Sequence, residues 1–353
     1  MAQLSVSQLS DLIVTTRAQY QKSITELATD IQEHHAFSRI FKKENVQVSS
    51  GTSIKRTILT NHSGAARHVG VFEQDQVNVK DVMTTLDVDW RRTTTNYAFD
   101  VTEEAINGGP EQIVDLVKVR RMDAFISLAA KIEENFWGVG PLTSSDKITP
   151  FGIGYYVVKP GASAGVTGTF TGYLPTGHTT VAGLTCSATS NPRWANYQAN
   201  YTNITKADLV TKLRKAYVYT NFRSPIEGEA SVPSGGRGGN RYAIYTNYDV
   251  VSGLESVGED QNDNLGRDIA SMDGKITFRG TPINWVPYLD SDTQDPLYLI
   301  NWSLLVPYVF KGFYMRESKP EKSPLQHTVV VSHVDLMWNL FCSNRRGLAV
   351  LAK

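Results

Sequence analysis

The sequence predicts an α+β protein, and three observations carry that assignment. Residues 110–137 form one long helical segment, the stretch before it at 46–100 alternates with a period of two, and short strands and helices intermingle from 205 onward. Gly108-Gly109 breaks whatever precedes the helix, and Pro110 suits a first turn, where a missing N–H costs nothing. No further Gly or Pro appears until Gly138, and Gly140-Pro141 supplies the stop. The helix is therefore roughly 40 Å long at about 1.5 Å per residue. Arg120, Asp123, Ser127, Lys131 and Glu134 collect into one narrow polar stripe. Val114, Val117, Phe125, Leu128, Ile132, Phe136 and Trp137 fill most other directions. A helix that apolar must be covered on several sides, so it is expected to be a spine for other layers.

The elements follow in order. Residues 1–44 read as a helix whose Leu9, Leu12, Ile13, Tyr20, Ile24, Leu27 and Ile31 make a single apolar stripe. Such a segment has no core of its own, and it either packs on its own domain or docks on a neighbouring chain. From Val46 the period becomes two, with Val46, Val48, Thr52, Ile54 and Ile58 on one face. Asn61-His62-Ser63-Gly64 marks a turn region, and a returning strand begins at Val77. Its apolar face switches twice, which predicts bends near Lys80-Asp81 and near Arg91–Thr93. Two strands alone are marginal in water, so the ribbon at 46–100 needs cover, and a neighbouring subunit is the expected source. Its mixed charges suit a protein partner. Lys55, Arg56, Arg67, Phe72, Glu73, Asp75 and Trp90 are the candidate inter-subunit contacts.

Beyond the spine, residues 142–203 are rich in Gly and Thr, with strand-like pieces at Ile153–Lys159 and Val166–Tyr173. Thr205 is the expected N-cap of a helix at Lys206–Tyr219 that places Leu209, Leu213 and Ala216 on one face. A Pro/Gly/Ser-rich loop at 223–240 leads to a strand at Arg241–Thr246, a helix at Tyr248–Val257 and a polar loop at 258–273. Strands are expected at Ile276–Phe278, Ile283–Val286, Leu297–Ile300 and Tyr308–Tyr314, and again in the tail at His327–Val334 and Leu336–Phe341.

Composition narrows the function. The chain has 353 residues, 41% hydrophobic and 20% charged, which is ordinary for a globular protein of two or three domains. Its 35 basic residues balance 35 acidic ones, which argues against a general nucleic-acid binder. The N-terminus lacks signal-peptide character, and Leu297–Met315 is broken by Asn301, Ser303, Pro307 and Lys311, so buried strands are expected there and no membrane span. The expectation is a soluble, cytoplasmically made protein. Cys186 and Cys342 imply no disulfide framework.

Each candidate chemical site fails a test. Gly235-Gly236-Arg237-Gly238-Gly239 lacks the flanking strand and the Lys-Ser/Thr end of a phosphate loop. Asp260, Asn262 and Asn264 open like a calcium loop, but Leu265 stands at the glycine position and Ser271 at the glutamate position. His34 and His35 are adjacent and point different ways on a helix, and His62 and His68 read as surface residues near the ribbon tip. Glu103-Glu104 and Glu133-Glu134 read as solvated helix charges. No catalytic residue, metal ligand or cofactor is assigned.

The order arm, long ribbon, spine helix, α/β domain and late return resembles the major capsid protein of tailed bacteriophages, the Hong Kong phage-type fold shared with encapsulins. The likeness covers essentially the whole chain. Local phrases also look similar: Thr149-Pro150-Phe151-Gly152-Ile153, and Asn191-Pro192-Arg193-Trp194 followed by Tyr201-Thr202-Asn203-Ile204-Thr205. The resemblance implies an N-terminal arm at 1–45, an extended loop at 46–100, a peripheral domain at 101–160 and 316–353, and an axial domain at 161–315. It also implies a structural, non-enzymatic shell protein of the virion. Copies would form pentamers and hexamers that close an icosahedral head in the host cytoplasm. The other expected partners are scaffolding, portal and decoration proteins and non-specifically packaged double-stranded DNA, with no membrane. Forty-five residues before the ribbon leave little room for a cleaved scaffolding region. Lys55 and Lys80 are the ribbon lysines available for the cross-links some members form, but nothing marks their partners and no cross-link is expected. The alternative is an encapsulin shell around protein cargo, against which the length of 46–100 weighs. A carbohydrate-active or carbohydrate-binding protein is the third reading, resting on Trp, Tyr and Gly/Thr-rich loops.

Overall fold

The computed structural model describes residues 34–41, 46–71, 81–106, 116–138, 140–162, 164–221, 242–259, 276–324 and 326–353. Residues 1–33, Phe72 to Lys80, the start of the spine with Val114, the Gly-rich loop with Gly235–Gly239 and the Asp260–Asn264 loop lie outside these. Strands are numbered in chain order. They are β1 Gln47–Ser49, β2 Ser53–Leu59, β3 Met83–Asp89, β4 Arg91–Asp100, β5 Thr169–Gly172, β6 Asn196–Asn200, β7 Tyr242–Thr246 and β8 Thr277–Phe278. After these come β9 Thr281–Trp285, β10 Leu297–Asn301, β11 Leu305–Phe310, β12 Arg316–Glu317, β13 Glu321–Lys322, β14 Val329–Cys342 and β15 Ala349–Ala352.

A seven-stranded sheet with the order β5-β6-β15-β10-β7-β9-β8 carries two cores, one on each face. Strands β7, β10 and β15 are buried at every position. Alternation explains this, because successive side chains point to opposite faces. Tyr242, Ile244, Leu297, Leu299 and Leu351 pack with Leu209, Leu213 and Ala216 of the helical segment Lys206–Tyr219. Ala243, Tyr245, Tyr298, Ile300 and Val350 face the other way, into the larger core with Phe136 and Trp137. The expected helix is present, with Thr205 Oγ1 accepting the Asp208 N–H, although its first turn, Lys206–Val210, is π-helical. Strand β15, unmarked in the sequence, lies mid-sheet, parallel to β6 and antiparallel to β10.

The second sheet is built around β14, fourteen residues long. One side pairs with β4 from Val329↔Asp100 to Trp338↔Arg91, and the other side takes β11, β12 and β13. Strand β1 joins β11 in parallel. Residues 47–49 and 91–100, read as ribbon, therefore pair with strands from the far end of the chain. The predicted bend near Arg91–Thr93 is a change of partner: one residue, Trp90, separates pairing with β2 from pairing with β14.

The spine helix is present as Leu116–Trp137. Leu128, Ile132, Phe136 and Trp137 are buried, and Asp123, Ser127, Lys131 and Glu134 are exposed, as the wheel predicts. Its end plugs into the seven-stranded sheet, with the Trp137 ring 5.0 Å from Tyr245 and Phe136 stacked 5.5 Å from Trp302. Three details differ from the expectation. Phe125 is half-buried under the Arg121 guanidinium at 5.1 Å. Arg120 is half-buried and bound to Glu103 at 2.7 Å, and Glu133 is buried.

Ile153–Lys159, expected as a strand, contains a single helical turn at Ile153–Tyr156. Tyr155 stacks on Phe151 with centroids 3.9 Å apart, across the extended Gly152 that caps the turn. Tyr156 then reaches the Leu340 carbonyl at 2.8 Å. Gly152 allows the approach: a Cβ there would lie 2.5 Å from the Asn135 carbonyl oxygen and 2.9 Å from that of Phe136. Among the described residues no helix is long and apolar enough to cross a membrane.

Candidate functional site

The ribbon of β2 and β3 pairs in register from Ser53↔Asp89 to Leu59↔Met83 and touches neither large sheet by backbone pairing. Its two ends differ. At the root, Ile54, Leu86 and Val88 are buried in the larger core, against the loop that carries Val181, Ala182 and Leu184. The Asp87 N–H donates to the Ala182 carbonyl at 2.9 Å. Gly183 makes the approach possible with φ +78°, a left-handed conformation that favours glycine. The root therefore has the intrachain cover that the sequence did not reveal. At the far end Leu59 and Met83, a registered pair, are 61% and 65% exposed, and Val69 and Val71 beyond them are 58% and 87% exposed.

The candidate contact residues divide in the same way. Lys55 pairs across the ribbon with Asp87 at 3.5 Å. Arg56 donates from Nε and Nη2 to the Tyr308 hydroxyl at 3.2 and 3.0 Å. Trp90 donates from Nε1 to the Gly51 carbonyl at 3.0 Å and meets Phe310 edge-on at 5.4 Å. These three brace the root of the ribbon within one chain. Arg67 lies exposed on the loop beyond β2. Phe72, Glu73 and Asp75 lie outside the described residues, so the structure gathers only part of the set.

The short helix His35–Ile40, in the stretch expected to be an arm, is anchored by a residue the sequence reading set aside. Glu133, 1% exposed, accepts the Ala36 and Phe37 N–H groups at 2.9 and 2.7 Å and the Trp137 indole N–H at 2.7 Å. The two backbone donors open the short helix His35–Ile40, whose Ala36 and Ile40 are buried against the core. First-turn N–H groups have no helical acceptor, so a carboxylate there satisfies them and favours the positive end of the helix. The reading of Glu133-Glu134 as a solvated pair thus holds only for Glu134, which pairs with Lys131 at 2.7 Å. A signal was present in the sequence, since position 133 lies between Ile132, Phe136 and Trp137 on the apolar side of the wheel.

Arg345, also missed, is fully buried where the two sheets meet. It donates to the carbonyls of Tyr156, Gly172, Tyr173 and Trp194 at 2.7–2.9 Å. Burial holds its pKa below the usual arginine value, and burial pushes the neighbouring Cys186 thiol up. Cys186 and Cys342 are buried free cysteines. Among the described residues no group of three His, Cys, Asp or Glu side chains is placed to hold a metal.

No protein-family model and no curated protein matches the sequence. Solved structures do. The cyanophage A-1(L) capsid matches with a TM-score of 0.59 at 16% identity, over 94% of this chain and 96% of that one. The capsid of a native GTA particle matches with a TM-score of 0.59 at 7% identity, over 99% of both chains. The SrpI encapsulin of Synechococcus elongatus matches with a TM-score of 0.52 at 10% identity, over 100% of this chain and 96% of that one. The chain therefore has the fold of phage capsid shells, the Hong Kong phage-type fold. In each case the likeness extends over at least 94% of this chain.

Proposed function

We propose that this protein is the major capsid protein of a tailed-phage-type particle, a structural shell subunit with no enzymatic role. Copies assemble as pentamers and hexamers into an icosahedral head around double-stranded DNA, in the host cytoplasm. The observation that carries the reading is the uncovered far end of the ribbon on a chain with this fold. Leu59 and Met83, a registered pair, and Val69 and Val71 on the loop that follows are all exposed, beyond a root whose Ile54, Leu86 and Val88 are buried. Exposed apolar patches of this kind mark interaction surfaces, and large overlapping contacts between copies give a shell its stability. Arg67, with Phe72, Glu73 and Asp75 that follow it in the sequence, are the proposed polar and aromatic contacts between copies, while Lys55, Arg56 and Trp90 brace the root and set the ribbon's direction. Scaffolding, portal and decoration proteins are the further proposed partners.

Electron microscopy of the purified chain, alone and with a scaffolding protein, tests the reading. Closed particles or ring-shaped capsomers are expected. A stable monomer under every condition overturns it. The encapsulin-type shell is the second reading, because the encapsulin match spans the chain end to end. Nucleic acid inside purified particles favours the first reading and protein cargo the second. The carbohydrate reading has no observation in its favour.

A further inference from the structure

A net charge of zero averages over an uneven surface. Residues 206–219 contain Lys206, Lys212, Arg214 and Lys215 against one carboxylate, Asp208. That carboxylate is already engaged by Lys212 at 2.5 Å and by the Thr202 and Asn203 N–H groups at 2.7 and 3.0 Å. Across the edge of the seven-stranded sheet, the turn Arg345–Gly347 sends its two arginines opposite ways. Arg345 enters the core, and Arg346 lies 4.5 Å over the Phe170 ring.

A row of three rings links these cations. Phe170 meets Tyr197 at 5.5 Å, Tyr197 meets Tyr219 at 6.0 Å, and the Lys215 ammonium lies 5.6 Å from the Tyr219 ring. Lys215 also donates to the Thr167 carbonyl at 3.2 Å, which fixes where it points. Arg193 is exposed, and its charge, after burial, helps to hold the Arg346 pKa below the ordinary arginine value. Among the described residues Arg193, Lys215 and Arg346 form no ion pair. Between them, the buried Tyr197 hydroxyl has no hydrogen-bond partner. It faces Gly168, where an added Cβ would lie 2.2 Å from Tyr197 Oη and 3.4 Å from Lys215 Cδ.

We propose that this corner, Arg193, Lys215 and Arg346 around the Tyr197 hydroxyl, is a phosphate-contacting surface for the backbone of packaged double-stranded DNA. The proposal rests on the shell reading above. A single-sign cluster suits a polyphosphate, whose condensed counterions are released on contact. Arginine adds a planar fork that matches phosphate oxygens. A protein partner is the weaker fit, because charged residues other than arginine are depleted at the centres of protein interfaces, whereas three like charges with no ion-pair partner among the described residues suit a polyanion. Contact here is with the backbone only and carries no sequence preference.

The test measures binding of a random-sequence duplex of about 30 base pairs to full-length subunits by fluorescence anisotropy at about 50–200 mM salt. The chain is compared with the triple variant Arg193→Gln, Lys215→Gln, Arg346→Gln. At about 0.9 per phosphate contact, the slope of log affinity against log salt should become shallower by about 2.7. That difference amounts to about a 40-fold smaller loss of affinity over the range. Should the half-buried Arg346 change prevent folding, the pair Arg193→Gln, Lys215→Gln, which leaves Arg346 in place, should still reduce the slope by about 1.8. A folded variant with unchanged slope and affinity overturns the proposal. So does a variant that binds DNA normally but no longer forms shells, which would assign the corner to a second copy. Particle formation is read separately by electron microscopy. Its failure in the unmodified chain would sink the shell reading and leave the subunit measurement interpretable.

Discussion

Glu133 shows how one side chain can set the path of a whole segment. Its carboxylate, buried itself, takes two N–H groups of the short helix His35–Ile40 and one indole N–H of the spine. Glu133→Gln replaces one acceptor oxygen by an NH₂ that faces donors, and a buried unsatisfied donor costs about 1–3 kcal/mol. The expected result is a loss of that size in urea unfolding, with faster hydrogen exchange at Ala36 and Phe37. Unchanged exchange at those amides would show that the carboxylate does not hold the arm. A second residue-scale prediction concerns acid. Glu317 accepts from Arg121 Nε and Nη2 at 2.8 and 2.9 Å and from the Tyr97 hydroxyl. The Arg121 bond, then the Tyr97 bond, holds its carboxyl below the usual glutamate value. A depressed carboxyl contributes stability that is present above its unfolded pKa, about 4.3, and is lost as pH falls through the folded value. Glu317→Gln should therefore lower stability near neutral pH and flatten the decline below about pH 4.3. Chemical denaturation across that range checks it, and an unchanged acid limb would remove Glu317 from the account.

At the scale of the element, the spine and the ribbon obey their own periodicities and are corrected by what packs on them. Leu128→Ala should cost about 2–5 kcal/mol, because Leu128 is 2% exposed and truncation leaves a cavity. Ser127→Asp, on the exposed stripe, should stay within about 0.5 kcal/mol. Phe125→Asp falls between them, since Phe125 keeps part of its ring in water beside Arg121. Thermal melts of the three variants should rank them in that order, and equal losses would mean the helix is rotated from the position described. The spine was readable because its stripe repeats over six turns. The short helix at Ile153–Tyr156 was not, because four residues carry no period.

For the whole molecule, the decisive contrast lies along the ribbon. Replacing Asn61 to Phe72 by a short Gly-Ser turn should leave circular dichroism unchanged while particle yield drops, because Ile54, Leu86 and Val88 stay buried at the root. Full-sized shells at normal yield would separate the ribbon end from assembly. What the sequence by itself determined is whatever repeats locally: the spine with its polar stripe, the helix capped by Thr205, strands β7, β9 and β10, and the chain order from which the fold class follows. Hydrophobic period, caps and turns act over neighbouring residues, so they are written in adjacent letters. The tertiary structure decided which strands meet. It put β15 in the middle of the seven-stranded sheet and split the ribbon at Trp90. It buried Glu133 and Arg345, and it placed the Val181–Leu184 loop over the ribbon root. Those outcomes depend on contacts between residues often more than a hundred positions apart, as between Arg345 and Tyr156. Such contacts are chosen by the fit and hydrogen bonding of surfaces that exist only once the chain has folded.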